Sequence, residues 1–148
     1  MLIGISGLIT PDIFRVMYHA GHLDKLVIAD ANYSTFAMCK NVVHSEITQN
    51  DLLLYEIIKY FPIDDDRDNP IEVMSLDDSI YQEQPVMWER FQVALKESVM
   101  NRVALHPIKR TDFYRETLNA YAVIKTCDCR PHSTLIIRKG MVLECDRS

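Results

Sequence analysis

GHLDKLVIADANYST, residues Gly21 to Thr35, is the stretch whose reading decides the fold. Its centre, Leu26-Val27-Ile28-Ala29, is too short for a helix and long enough for a buried strand. The run stops at an acid, Asp30, and a polar loop follows, Asn32-Tyr33-Ser34-Thr35. His22 stands ahead of it, next to Gly21. In a parallel α/β sheet Asp30 would lie at the carboxyl end of its strand, where open sheets bind ligands. A histidine, a carboxylate and hydroxyls this close in sequence suit a site that binds a polar molecule and moves protons on it. The plainer reading is that Asp30 caps a turn and that His22 is a solvated residue favoured by a helix dipole. Spacing alone favours the plainer one.

The chain has 148 residues, enough for one domain with a real core, and it reads as a single domain over 1–148. Hydrophobic residues make up 48% and charged residues 25%, as in ordinary globular proteins. The net charge is −5 and there is no basic cluster, so neither nucleic acid nor an anionic membrane is expected as a partner. No apolar run approaches the ~20 residues of a membrane span. The first ten residues, MLIGISGLIT, lack the basic region and long apolar core of a signal peptide. Cys39, Cys127, Cys129 and Cys145 form no CxxC pair and no zinc-like spacing. Reduced thiols and a cytoplasmic location are the expectation.

Working outward, Thr10 caps a helix, with Pro11 at its first position and Asp12 near its N-terminus. Ile13, Phe14, Val16, Met17 and Ala20 give it an apolar face, and Gly21 ends it. Val42-Val43 is a short edge strand. Thr48 and Asp51 resemble a capping box ahead of a helix with Leu52, Leu53, Ile57 and Ile58 inward, stopped by Pro62. The run Asp64 to Asp68 lacks the glycine and glutamate of a calcium loop and reads as a solvated acidic turn. Ile71 to Met74 is a strand. Pro85 to Met100 is an amphipathic helix with Trp88, Phe91, Leu95 and Val99 in the core. Thr111 caps a helix carrying Phe113, Tyr114 and Leu118, and Tyr121–Lys125 and Leu135–Ile137 are strands. Alternating helices and strands predict an α/β fold, with helices covering a mostly parallel sheet.

Four glycines are too few and too scattered for a P-loop or a GxGxxG turn, and there is no GxSxG elbow or HExxH. His19 and His22, three apart across a helix end, suit a metal poorly. The expected chemistry therefore uses side chains alone, with no cofactor and no metal, on a small molecule.

Several segments together resemble the ribose pyranase and fucose mutarotase family. They are Leu8-Ile9-Thr10-Pro11, Met17 to His22, Val27 to Ala31, Arg110-Thr111-Asp112-Phe113-Tyr114, Ala120 to Ile124, and Lys139-Gly140. They span nearly the whole chain in the same order. The resemblance implies an enzyme that interconverts the α and β anomers of a free sugar, without a cofactor, in a ring-like oligomer, commonly a decamer. It implies His22 as a catalytic histidine and Asp30 as a sugar-binding acid. Arg110 matches an arginine of the fucose branch, where the ribose branch typically has a histidine, so L-fucose is the expected substrate. D-ribose mutarotation and a non-catalytic sugar-binding module are the alternatives. The family's Tyr-Gly-Asn triplet before the last strand falls here on His132-Ser133-Thr134. This departure makes His132 a second catalytic candidate and Ser133 and Thr134 candidate sugar contacts. Without the resemblance, His132 reads as an exposed loop histidine.

Anomer exchange needs a proton removed from the anomeric hydroxyl and one delivered to the ring oxygen. Histidine suits both, since its unperturbed pKa of about 6.5 keeps acid and base forms together near neutrality. Asp30 would accept hydrogen bonds from sugar hydroxyls and Arg110 would donate to others. The strand between His22 and Asp30 spans about 13 Å at roughly 3.3 Å per residue. One subunit therefore does not bring both onto one sugar unless residues 22–25 fold back. A site completed across a subunit interface resolves this.

Overall fold

Thr10 begins the ordered architecture. Its Oγ1 accepts the N–H of Ile13, at 3.3 Å, and Pro11 opens helix α1 (Pro11–His19). In the computed structural model, which describes residues 2–35, 39–64, 69–76, 84–98 and 102–144, the chain continues through β1 (Lys25–Ala29), β2 (Val42–His44), α2 (Asn50–Ile58), β3 (Ile71–Met74), α3 (Val86–Lys96), β4 (Leu105–Ile108), α4 (Arg110–Leu118), β5 (Ala122–Lys125) and β6 (Leu135–Arg138). The six strands form one sheet in the order β2-β5-β1-β6-β3-β4. β1, β2 and β5 are mutually parallel, as are β3 and β4, while β6 runs antiparallel to both β1 and β3. Five strands therefore point one way and β6 the other. This is the mostly parallel α/β sheet that the alternation predicts, with Val42-Val43 in an edge strand as expected.

The pleat sorts side chains onto two faces. Leu26 and Ile28 of β1, Ala122 and Ile124 of β5, Leu135 and Ile137 of β6, and Ile71 and Val73 of β3 pack under α1, α2 and α3. Val27, Ala29, Val123 and Ile136 face the opposite way, against Phe113 of α4 and Tyr33. Because β1 is covered on both faces, its sequence is an unbroken apolar run rather than an alternation. No helix among the described residues is long and apolar enough to cross a membrane.

Several local expectations change. The capping box at Thr48 does not form: α2 starts at Asn50 after Gln49, which makes no side-chain cap, and the Asn50 N–H goes to Asp128 instead. Leu54 takes the inward position expected of Leu52, which is exposed. Phe14 and Leu118 are exposed as well, because α1 and α4 each lie on the surface of the sheet and bury only a narrow stripe. Thr111 lies inside α4, one residue past its start. Gly21 does not end α1 with a left-handed turn. Ala20 is extended, and the Gly21 N–H is held by Asp24 Oδ2 at 2.7 Å. Asp64 is buried rather than solvated, its N–H donating to Arg138 O. Val99, Cys145 and the rest of the 64–68 run lie outside the described residues. β4 has no signal in the sequence, since Pro107 sits within it; it is an edge strand, where proline is tolerated.

Gly140 is pinned by chain crossing. A Cβ there would stand 2.8 Å from Ile63 O and 2.9 Å from Ile63 C, both backbone atoms. Gly140→Ala is expected to destabilise the fold by about 1–3 kcal/mol through overpacking. Thermal unfolding checks this, and an unchanged melting temperature contradicts it.

Candidate functional site

Strand direction decides which loops meet. The loops after β1, β3 and β4 leave from the carboxyl edge of the sheet, and β6, being antiparallel, enters from that same edge. The result is a cavity of about 260 Å³ lined by Asp30, Asn32, Tyr33, Met74, Trp88, Arg110, Tyr114, His132 and Thr134. Four of the six expected site residues, Asp30, Arg110, His132 and Thr134, therefore converge.

Asp30 is anchored at both oxygens. Thr134 Oγ1 donates to Oδ2 at 2.6 Å and accepts the Asp30 N–H at 2.9 Å, while the Asn32 N–H donates to Oδ1 at 2.9 Å. Each oxygen keeps acceptor capacity for a ligand hydroxyl. The turn that carries Asp30 is held from β5. Lys125 Nζ donates to Asp30 O at 2.8 Å and to Tyr33 O, and the Ala31 N–H donates to Asp128 O at 2.8 Å. Burial lowers the Lys125 pKa from its ordinary value, with the nearby Asp30 charge opposing that shift.

The other wall is aromatic. Tyr33 stacks on Tyr114 with centroids 5.3 Å apart, and the Arg110 guanidinium lies 5.8 Å from the Tyr114 centroid. Thr117 Oγ1 gives its one proton to Phe113 O, so at 2.8 Å it accepts from the Tyr33 hydroxyl. Burial pushes the Tyr33 phenol far above its usual value, and it stays protonated at neutral pH. Among the aromatic residues near Asp30 and Arg110, Tyr33 lines the cavity. Phe113 is buried behind it, and Tyr121 packs against the core on the other face. Met74, Trp88 and Tyr114 line the cavity beside Tyr33. Trp88 was legible only as a core residue, which it also is.

Two expected residues lie elsewhere. Ser133 is fully buried, and its Oγ donates to Asp128 Oδ2 at 2.6 Å rather than facing the cavity. His22 is exposed at the opposite edge of the sheet, ahead of β1, where the neighbouring Leu23 N–H donates to Lys139 O at 2.9 Å. Residues 22–25 do not fold back, so within one chain His22 does not join Asp30.

Asp128 went unnoticed in the sequence because nothing marks an acid whose donors come from three separate positions. Its carboxylate accepts Asn50 N–H, Arg130 N–H, Nε and Nη2, and Ser133 Oγ, at 2.6–3.0 Å. Burial alone would push this carboxyl up, and the hydrogen bonds together outweigh it and bring the pKa down to about 2. Arg130 Nη2 also reaches Asp51 Oδ1 at 2.6 Å, and its own pKa is raised by the Asp128 bonds first and by Asp51 less.

Comparison with known proteins finds one family model, the RbsD / FucU transport protein family, matching residues 3–142. A fucose mutarotase of Danio rerio is 31% identical over 147 residues, covering 96% of this chain and 95% of that protein. The crystal structure of FucU from Bifidobacterium longum superposes with a TM-score of 0.85 at 29% identity, covering 95% of this chain and 99% of that one. The fucose mutarotase of Streptococcus pneumoniae, solved in complex with L-fucose, gives 0.84 at 25% identity, covering 96% of this chain and all of that one, 100%.

The depressed Asp128 pKa sets an acid limit on stability. Between about 3.8, its ordinary value, and about 2, the unfolded chain binds the proton and the folded chain does not. Its contribution is therefore complete above that window and lost as pH falls through it. The melting temperature of the wild type should drop more steeply from pH 4 to pH 2 than that of Asp128→Asn; parallel slopes contradict this.

Proposed function

The chain belongs to the RbsD / FucU transport protein family, and from that premise we propose that it is a mutarotase, an isomerase that interconverts the α and β anomers of free L-fucose. One observation carries the reading. Asp30, Arg110, His132 and Thr134 meet in a cavity whose volume of about 260 Å³ suits a single small ring. That is below the ~300–1,000 Å³ of pockets for drug-sized ligands.

In this reading the sugar lies with its hydroxyls toward Asp30 and Arg110. The methyl of L-fucose rests on the Met74, Trp88 and Tyr114 side. One group takes the proton of the anomeric hydroxyl as a second protonates the ring oxygen, and the ring bond between the anomeric carbon and that oxygen breaks. The open aldehyde turns about its first carbon–carbon bond, and the reverse transfers close the ring. Net protonation is unchanged after each cycle. His132 supplies one of these proton-transfer groups from within the chain.

His22 supplies the other from a second copy. Exposed apolar residues support this: Leu23, at 37% exposure, follows His22 and donates its N–H to Lys139 O, and Met141, Val142 and Leu143, at 51–56%, follow Lys139 in the chain. A ring of such contacts, a decamer in our reading, sets the His22 edge of one protomer beside the cavity of the next. Free thiols at Cys39, Cys127 and Cys129 fit work in the reducing cytoplasm.

Saturation-exchange NMR on the anomeric protons tests the reading. Faster exchange of L-fucose anomers with protein supports turnover, while line broadening without exchange means a sugar-binding module. L-fucose should exchange faster than D-ribose. Guanidinium offers five donors in a rigid fork, which imidazole cannot reproduce. Arg110→His should cost L-fucose exchange about one to two decades, the size of one lost hydrogen bond to a charged group. Faster exchange of ribose than of fucose by the wild type overturns the choice of sugar. His22→Ala and His132→Ala should each lose activity while staying folded, and co-assembled mixtures of the two should regain part of it. Mixtures as inactive as either parent contradict a shared site.

A further inference from the structure

Beyond the residues that face the cavity, the densest polar cluster among the described residues gathers on Asp128. We propose that Asp128 is a positioning residue for the reaction, fixing His132 and Thr134 against the sugar; this rests on the mutarotase reading above.

The segment Asp128-Cys129-Arg130-Pro131-His132-Ser133-Thr134 enters β6. Asp128 does not line the cavity, yet its carboxylate holds the chain on both sides of the cavity histidine. Arg130 binds it through N–H, Nε and Nη2, and Ser133 binds it through Oγ. Only Pro131 and His132 lie between those two anchors, and proline fixes its own φ. Ser133 is tied a second time, its carbonyl accepting Asn50 Nδ2 at 2.7 Å, and Asn50 returns its N–H to Asp128 Oδ2. His132 itself has φ 60, in the left-handed region that side-chain-bearing residues seldom adopt. Such a conformation persists where its surroundings over-determine it. The Asp128 carboxylate and Pro131 supply that constraint.

The same residue registers the acid. Its carbonyl accepts the Ala31 N–H, adjacent to Asp30, at 2.8 Å. Thr134, next after the anchored Ser133, holds Asp30 Oδ2. One buried carboxylate thus sets His132, Thr134 and, through them, Asp30.

A double-mutant cycle separates positioning from mere stability. L-fucose anomer exchange is measured at saturating and limiting sugar for wild type, Asp128→Asn, Ser133→Ala, His132→Ala and the two pairs with His132→Ala. Asp128→Asn is expected to lower kcat about tenfold, the scale of one charge-assisted hydrogen bond, with a smaller change in KM. Ser133→Ala should do the same to a lesser degree. In the His132→Ala background both effects should shrink, leaving only the part exerted through Thr134 and Asp30. Effects that multiply unchanged in that background, or that appear only in KM, overturn the proposal. If Asp128→Asn does not fold, Ser133→Ala carries the cycle alone and is read the same way. A wild type with no exchange at all overturns the mutarotase reading and this inference with it, whereas an active wild type with a multiplicative cycle overturns only this inference.

Discussion

The antiparallel pairing of β1 with β6 is the constraint on which the site depends. Ile28 pairs with Leu135, so Asp30, two residues past Ile28, meets Thr134, one residue before Leu135. A parallel β6 would deliver its preceding loop to the other edge of the sheet. His132 and Thr134 would then lie about 13 Å away, the length of a four-residue strand. The central place of β1 follows from burial. β1 is apolar on both faces, so it takes the centre of the sheet, between β5 and β6.

The face under α4 is divided along its length. At the cavity end Val27, Ala29, Val123 and Ile136 pack on Tyr33 and Phe113. Toward the other end Lys25 Nζ donates to Glu72 at 3.0 Å and to Glu116 of α4, with Arg138 3.8 Å from Glu72. Lys25 and Glu72 are nearly buried, at 11% and 7% exposure, so breaking the pair would leave a buried charge uncompensated. The cluster ties the end of α4 to the sheet. Its first turn is thereby held where Arg110 and Tyr114 reach the cavity.

The fold was legible because local and global signals agree. Thr10-Pro11 starts α1, the apolar run marks β1, and helices alternate with strands. What was not legible depended on partners distant in sequence. The Asn50 N–H is met by Asp128 rather than by a cap three residues away, so the Thr48 signal misled. Trp88 and Met74 carry the spacing of core residues, and only the meeting of α3 with β3 makes them cavity wall as well. Ser133 was expected as a ligand contact because it falls within the family's triplet, yet side chains alternate in direction as the chain enters β6, and Ser133 turns inward to Asp128. The separation of His22 from Asp30 was legible from strand length on the condition that residues 22–25 do not fold back, and they do not.

A crystal structure of the protein with L-fucose tests the central claim most directly. The account predicts one sugar ring bounded by Asp30, Arg110 and His132, with the apolar edge of the ring toward Met74 and Trp88, and His22 of a neighbouring copy at the open side. Sugar bound elsewhere on the chain, or a filled cavity that no neighbouring copy approaches, would contradict it.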